Sequence, residues 1–159
     1  MAVSPNIRNY LRQCGTAYDE VPHSRTFAMT MAAQSAHVSG NSVAKGVMMR
    51  AGDDYLLAVL PASKHVDVGR LCNALGRNVT LISEAEAAMS FPDCEFGAMP
   101  AVGAAYGLRT IIDDGMRGDQ LADDDDVFFE GGDHRTLIAI DAADWRRMMA
   151  SEPHCAFAV

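Results

Sequence analysis

The chain has 159 residues, 49% hydrophobic and 21% charged, with a formal net charge of −8. It is long enough to bury about two-thirds of its unfolded surface in one core, and its composition excludes a disordered or fibrous chain. The acidic balance excludes a broad nucleic-acid-coating surface, though not a small local contact, and no apolar run is long enough to cross a bilayer.

The N-terminal Met-Ala-Val-Ser-Pro-Asn-Ile-Arg lacks the apolar stretch of a signal peptide, which points to a cytoplasmic protein. Cys14, Cys72, Cys94 and Cys155 form no C-x-x-C pair, a pattern that in the cytosol favours free thiols over disulfides or a zinc site. Lys64, His65, Arg70 and Arg77 fall in one short stretch, which reads either as a solvated mixed surface or as a local basic contact.

In chain order, Ser4-Pro5 pairs a capping hydroxyl with proline at the first helical position, predicting a helix to about residue 13 that stops before Gly15. Tyr18-Asp19-Glu20-Val21 reads as a short edge strand ended by Pro22. Thr26 is the expected opening of a second helix over residues 28 to about 37, closed by Gly40. Residues 42–61 form a β-hairpin around a turn at Ala51-Gly52-Asp53-Asp54. Asp67 caps a third helix over residues 68–75, with Gly76 at its exit.

Residues 77–82 return as a strand, and Ser83-Glu84-Ala85-Glu86 is a capping box for a short helix. Residues 91–107 are a long loop of glycines, prolines and small residues, and loops of that length in compact domains are more often functional than idle. Strands follow over residues 108–112, ending at Asp113, then 127–130 and 136–140. Asp141 caps a last helix holding Trp145 and Met148. Without repeats or a linker, the chain reads as one domain over residues 1–159. Strands outnumber helices and short turns join several of them, so the expected sheet is largely antiparallel or mixed, with helices packed outside. No G-x-G-x-x-G or G-x-x-x-x-G-K-[ST] supports a nucleotide-binding doubly wound fold.

Lys45 is the sharpest candidate for chemistry. Strand alternation places it on one face with Val43, Val47 and Met49, and it is one of only two lysines. Either its stem covers core while its amine meets a carboxylate, or it faces a cavity that receives an anion; Gly46 beside it suits a close approach. His134, just past Gly131-Gly132, lies either near a ligand or on a plain turn. Gly97-Ala98-Met99-Pro100 either aims N–H groups at a developing oxyanion or is loop punctuation. His37 suits a helix C-terminus. His23, His65 and His154 lack metal-ligand spacing, Asp123-Asp124-Asp125-Asp126 lacks that of a calcium loop, and no G-x-S-x-G elbow occurs. Met29, Met31, Met48 and Met49 read as core or pocket lining.

The order of these features resembles the YbaK/ProX family, the aminoacyl-tRNA deacylases related to the editing insertion of bacterial prolyl-tRNA synthetase. The features are the Ala32-Ala33 helix, Asn41-Ser42-Val43-Ala44-Lys45 entering a strand, and Lys64-His65-Val66-Asp67 before a helix. They continue with the Gly97-x-x-Pro100 loop, a strand ending in Asp113 and the Gly131-Gly132-x-His134 turn. The likeness spans residues 26–149. It implies a mixed α/β fold around a barrel-like, mostly antiparallel or mixed sheet surrounded by helices. It also implies hydrolysis of the ester joining a wrong amino acid to tRNA, without cofactor or metal.

By position, the resemblance makes Lys45 the pocket lysine, Gly97 the loop glycine and His134 the histidine of the prolyl-synthetase-like members. Ala98-Met99 and Ala101-Val102 depart from the residues usual around the loop proline. The expected site has Lys45, Gly97 and His134 as catalytic residues. Met29, Val43, Gly46, Met99, Pro100 and Gly132 are expected to bind substrate, with the Gly97 and Gly132 N–H groups around the carbonyl. The expected substrate is a small amino acid such as Ala, Ser or Cys on tRNA, attacked with the help of a ribose hydroxyl or water. The expected partners are the aminoacyl-tRNA acceptor end and an aminoacyl-tRNA synthetase, with no membrane and no DNA. Two competing readings are a non-catalytic module that docks on tRNA or a synthetase, and a hydrolase for another small ester or amide.

Overall fold

The computed structural model describes residues 2–26 and 28–159. Among them are α1 (Pro5–Gln13), β1 (Asp19–Pro22), α2 (Met29–Ser35), β2 (Val43–Ala51), β3 (Asp54–Pro61), α3 (Val68–Leu75), β4 (Thr80–Leu81), α4 (Glu84–Ala88), β5 (Arg109–Asp113), β6 (Asp126–Glu130), β7 (Thr136–Asp141), α5 (Ala142–Met149) and β8 (His154–Cys155). The strands form one eight-stranded mixed sheet in the order β1-β7-β6-β2-β3-β5-β8, with β4 paired to β2 off that path. The β2/β3, β6/β7, β1/β7 and β2/β4 pairs are antiparallel, whereas β2/β6, β3/β5 and β5/β8 are parallel.

Several element ends follow directly from local chemistry. Ser4 Oγ accepts from the Ile7 N–H (3.2 Å) and Pro5 opens α1. Asp67 accepts from the Arg70 N–H (3.1 Å) at the start of α3, and Gly76 ends it at φ 65°. The hairpin closes between Ala51 and Asp54 with Gly52 at φ 64°.

Other ends depart from expectation. Thr26 does not cap α2; its N–H donates to the His134 carbonyl (3.1 Å), and the helix starts at Met29 without a side-chain cap. It also stops early, because His37 takes the left-handed conformation (φ 61°) before Gly40 is reached. The strand expected over residues 77–82 contracts to β4, since Arg77 reaches back to the Ala51 carbonyl (2.8 Å) and the Val79 N–H donates to Cys72 Sγ (3.3 Å). Asp141 stands at the N-cap of α5 without a capping bond. Carbonyls of the acidic run serve instead: Ala142 N–H donates to Asp125 O (2.7 Å) and Ala143 N–H to Asp123 O (3.1 Å).

Side-chain alternation divides the core between the sheet's two faces. Ala44, Met48, Leu57, Val59, Phe129, Ile138 and Trp145 belong to one cluster with α1, α4 and α5. On the opposite face, Met49, Leu56, Ala58 and Leu60 pack with Leu71 of α3, while Val43, Phe128 and Leu137 pack with Ala32 and Ala33 of α2. The last residues are tied down by a buried carboxylate: Asp113 Oδ1 accepts from the Phe157 and Ala158 N–H groups (2.9 Å each) and Oδ2 from Gly115 N–H (2.8 Å). A buried donor left without a partner costs about 1–3 kcal/mol. Asp113→Ala is therefore expected to lower the unfolding free energy by at least ~2 kcal/mol in urea titrations; a loss below ~0.5 kcal/mol, the range of neutral surface changes, would contradict this role.

Candidate active site

The site begins with a gap in the sheet. The Ala62 N–H donates to the Val43 carbonyl (2.8 Å), which fixes the hydrogen-bonding parity of β2 against β3. Lys45 and Val47 therefore turn their backbone groups toward β3, while Gly46 and Met48 turn theirs to the other edge. On that edge β6 pairs only at Val43 and Ala44, and β4 only at Met49 and Arg50. Among the described residues, 45–48 have no partner strand there. A hollow of about 250 Å³ fills the gap, lined by Met29, Lys45, Gly46, Val47, Met48, Ile82, Glu84, Ala87, Gly97 and Met99.

Lys45 shares its face with Val43, under α2, and with Val47 and Met49, under α3, so it occupies the seam between two apolar clusters. It is half-buried, and among the described residues it makes no hydrogen bond or ion pair. Burial alone pulls its pKa below the ordinary lysine value, and no carboxylate offsets it.

The Gly131–His134 turn is held from within. Glu130 is buried, and its Oε1 accepts from the N–H groups of Gly132 (2.9 Å), Asp133 (3.1 Å) and His134 (3.2 Å). Burial pushes the Glu130 carboxyl up despite these three bonds. The Gly132 N–H is consumed here and is not offered to a substrate carbonyl, a correction to the expected site. Packing also requires both glycines. A Cβ on Gly131 would stand 3.0 Å from Thr136 O and one on Gly132 3.2 Å from Cys94 Sγ, and Gly132 has φ 118°.

His134 is 3% exposed and in the left-handed region (φ 60°). Its Nε2 lies 2.7 Å from the Phe96 carbonyl. A carbonyl only accepts, so Nε2 carries the proton and clamps the loop. Nε2 is thus committed to the loop.

Gly97, at φ 81°, stands where two hollows meet. The second, of about 270 Å³, is lined by Arg25, Glu84, Glu95, Phe96, Gly97 and His134. No bond of the described residues uses the Gly97 N–H, whereas Ala98 N–H donates to Glu95 O (2.9 Å). Arg25 pairs with Glu95 (2.7 Å) and holds its carboxyl below the usual range.

Of the expected residues, Lys45, Gly46, Met29, Met99 and Gly97 line the first hollow, and Gly97 and His134 the second. Val43 and Pro100 are buried and line neither. Gly46 owes its small size to Leu57, whose Cδ1 would lie 2.8 Å from an added Cβ. Glu84, Arg25 and Phe96 also line the hollows, but the sequence marks Glu84 only as part of a capping box, Phe96 only as one residue of the long loop and Arg25 not at all.

Behind the turn, Asp93 accepts from Ser4 Oγ (2.6 Å), the Asn6 N–H (2.9 Å) and the Tyr106 hydroxyl (2.8 Å). Although burial opposes ionisation of Asp93, these bonds keep its carboxyl low. Burial pushes the neighbouring Cys94 thiol up to about 12, which removes it as a nucleophile. Asn tolerates the left-handed backbone at position 134 but does not reach Phe96. His134→Asn is expected to raise amide exchange at Glu95 and Ala98 about fivefold to tenfold, the worth of one hydrogen bond; unchanged exchange would show that the ring does not hold the loop.

Residues 23–148 match the model of the aminoacyl-tRNA editing domain family. No curated protein matches the sequence. Among solved structures, one described as a candidate trans-editing enzyme for prolyl tRNA synthetase superposes with a TM-score of 0.76 at 18% identity, covering 99% of this chain and 98% of that one. The hypothetical protein APE2540 gives 0.77 at 14% identity, over 97% and 99%. A protein from Marinobacter aquaeolei VT8 described as a candidate signal transduction protein gives 0.74 at 18% identity, with 97% of this chain covering 30% of that larger one. At these identities the structures share the fold, whereas the family match spans most of the sequence. The chain belongs to the aminoacyl-tRNA editing domain family, of the YbaK type.

Proposed function

We propose that this protein hydrolyses, in trans, the ester linking a small amino acid to the 3′ end of a mischarged tRNA. The observation that carries the reading is Lys45, a half-buried ammonium without a partner among the described residues, in a hollow with mostly apolar walls. An aminoacyl ester is already activated, so its hydrolysis needs a positioned nucleophile and a home for negative charge more than a strong base. Cys94 is half-buried with its thiol held protonated, which supports attack by a water or by the neighbouring ribose hydroxyl, as the family resemblance implies.

In this account Lys45 meets a phosphate or ribose oxygen of the terminal nucleotide, and its positive charge stabilises the anionic transition state beside it. The Gly97 N–H faces the carbonyl oxygen as charge develops on it. His134 keeps that N–H in place through the Phe96 carbonyl. Met29 and Met99 narrow the hollow, which excludes bulkier side chains by size. Size exclusion supplies discrimination that one methylene of binding, about 1–3 kcal/mol, does not. The net charge of −8 limits contact to the acceptor end of the tRNA and predicts a shallow salt dependence.

The test is a panel of mischarged tRNAs presented to the wild type, Lys45→Ala and Lys64→Ala. Lys64, the other lysine, is exposed and lines neither hollow, which makes it the control. Lys45→Ala is expected to slow deacylation by ~10²–10³, the usual cost of losing such a donor, with Lys64→Ala unchanged. A Lys45→Ala rate within about threefold of wild type would overturn the electrostatic role, and binding without ester loss across the panel would make the protein a docking module.

A further inference from the structure

We propose that the Glu84 carboxylate receives the α-ammonium group of the substrate, so that the site accepts aminoacyl esters with a free amine and rejects N-acylated ones. The inference rests on the deacylase reading above and names its substrate class more narrowly. Glu84 lines both hollows and stands where they meet, its Oε1 3.6 Å from the place a Cβ would take on Gly97. Arg25 pairs with Glu95, Arg50 with Glu86, and Lys45 comes within ion-pair distance of no described carboxylate. The Glu84 carboxylate itself has no hydrogen bond or ion pair among the described residues.

Its placement is built rather than incidental. Glu84 is the first residue of α4, which Ser83 caps through the Glu86 N–H (3.1 Å) and which the buried Ala87 anchors to the core. Two residues later the same helix sends Glu86 away from the hollow, to Tyr55 (2.6 Å) and Arg50.

The substrate chemistry matches the spacing. In an aminoacyl ester the amine nitrogen lies only about 2.5 Å from the carbonyl carbon, by ordinary bond lengths and angles. A site that polarises the carbonyl therefore meets the ammonium within the same few ångströms. The Gly97 N–H marks the carbonyl, and Glu84 is the carboxylate closest to that glycine's open side. Acylating the amine removes its charge and adds bulk, leaving Glu84 without a cation to accept from. A peptidyl or N-formyl ester would thus be spared.

The test uses two stable mimics, 3′-alanylamino-adenosine and its N-acetyl derivative, titrated into wild type and Glu84→Gln while protein amide signals are followed by NMR. Deacylation of Ala-tRNA and N-acetyl-Ala-tRNA is measured alongside. The wild type is expected to bind the free-amine mimic about tenfold or more tightly than the acetylated one, the worth of one charge-assisted hydrogen bond, and Glu84→Gln to bind both alike. Gln is nearly isosteric with Glu, and unchanged binding of the acetylated mimic by the variant confirms that it folds. Equal binding of both mimics by the wild type, a preference kept by Glu84→Gln, or no binding of either mimic would each overturn the proposal. Preferential binding with no ester loss from either tRNA would overturn the deacylase reading and leave the role of Glu84 standing.

Discussion

Strand β2 sets the constraint from which the site follows. One edge of it is fully paired with β3, and the other is divided between β6 at its start and β4 at its end. Among the described residues no strand meets the four residues between those partners, and the Gly46 and Met48 backbone groups that face this edge need water or a ligand. Because alternate side chains of β2 feed different core clusters, the same gap opens toward both faces of the sheet. The hollow can thus be walled by Met48, Ala87 and Met99 from one layer and by Met29 and Val47 from the other. Lys45 sits at the seam where neither α2 nor α3 fully covers the strand, which accounts for both its partial burial and its lack of a partner among the described residues.

Hydrogen-bond accounting then decides which backbone groups are left for a ligand. The turn after β6 offers three successive N–H groups, an arrangement suited to an anion, yet the anion it binds is the side chain of Glu130. That internal occupant makes the turn a rigid pedestal, and His134 projects from it to grip the neighbouring loop. Ser4 and Asp93 brace the same pedestal from behind, with the Ser4 N–H donating to Gly131 O (2.8 Å). With the Gly132 N–H spent, the Gly97 N–H is the one of the expected pair that remains available.

Much of the fold was legible because its signals are local. The Ser4 and Asp67 caps, the Gly52 turn and the edge strand before Pro22 each act within a few residues, and each appears where the chain places it. The structure departs from these local signals where tertiary contacts override them. His37 took a left-handed role usually given to glycine, and Asp141 ceded its cap to carbonyls of the acidic run. The two-residue β8 exists because Asp113 captures the N–H groups beyond it, which no periodicity reveals. In the site, Lys45 stood out because a charge on an apolar row demands a reason. Glu84, Arg25 and Phe96 demanded none, since charged residues and single apolar ones are normal on surfaces. Val43 shares the face of Lys45 but lies under α2, a distinction that alternation alone does not make.

The central claim is that Lys45 is kept without an internal partner so that a substrate's negative charge can take that place. With two lysines in the chain, a lysine-labelled sample gives two side-chain signals, and Lys45→Ala identifies the relevant one. The most direct measurement is the NMR titration of the Lys45 ammonium, free and with a non-hydrolysable 3′-aminoacylamino analogue of the terminal nucleotide carrying its 5′-phosphate. The account predicts a midpoint below the ordinary lysine value of about 10.4 in the free protein, moving upward when the analogue binds. A Lys45 midpoint at the ordinary value that the analogue leaves unmoved would contradict it.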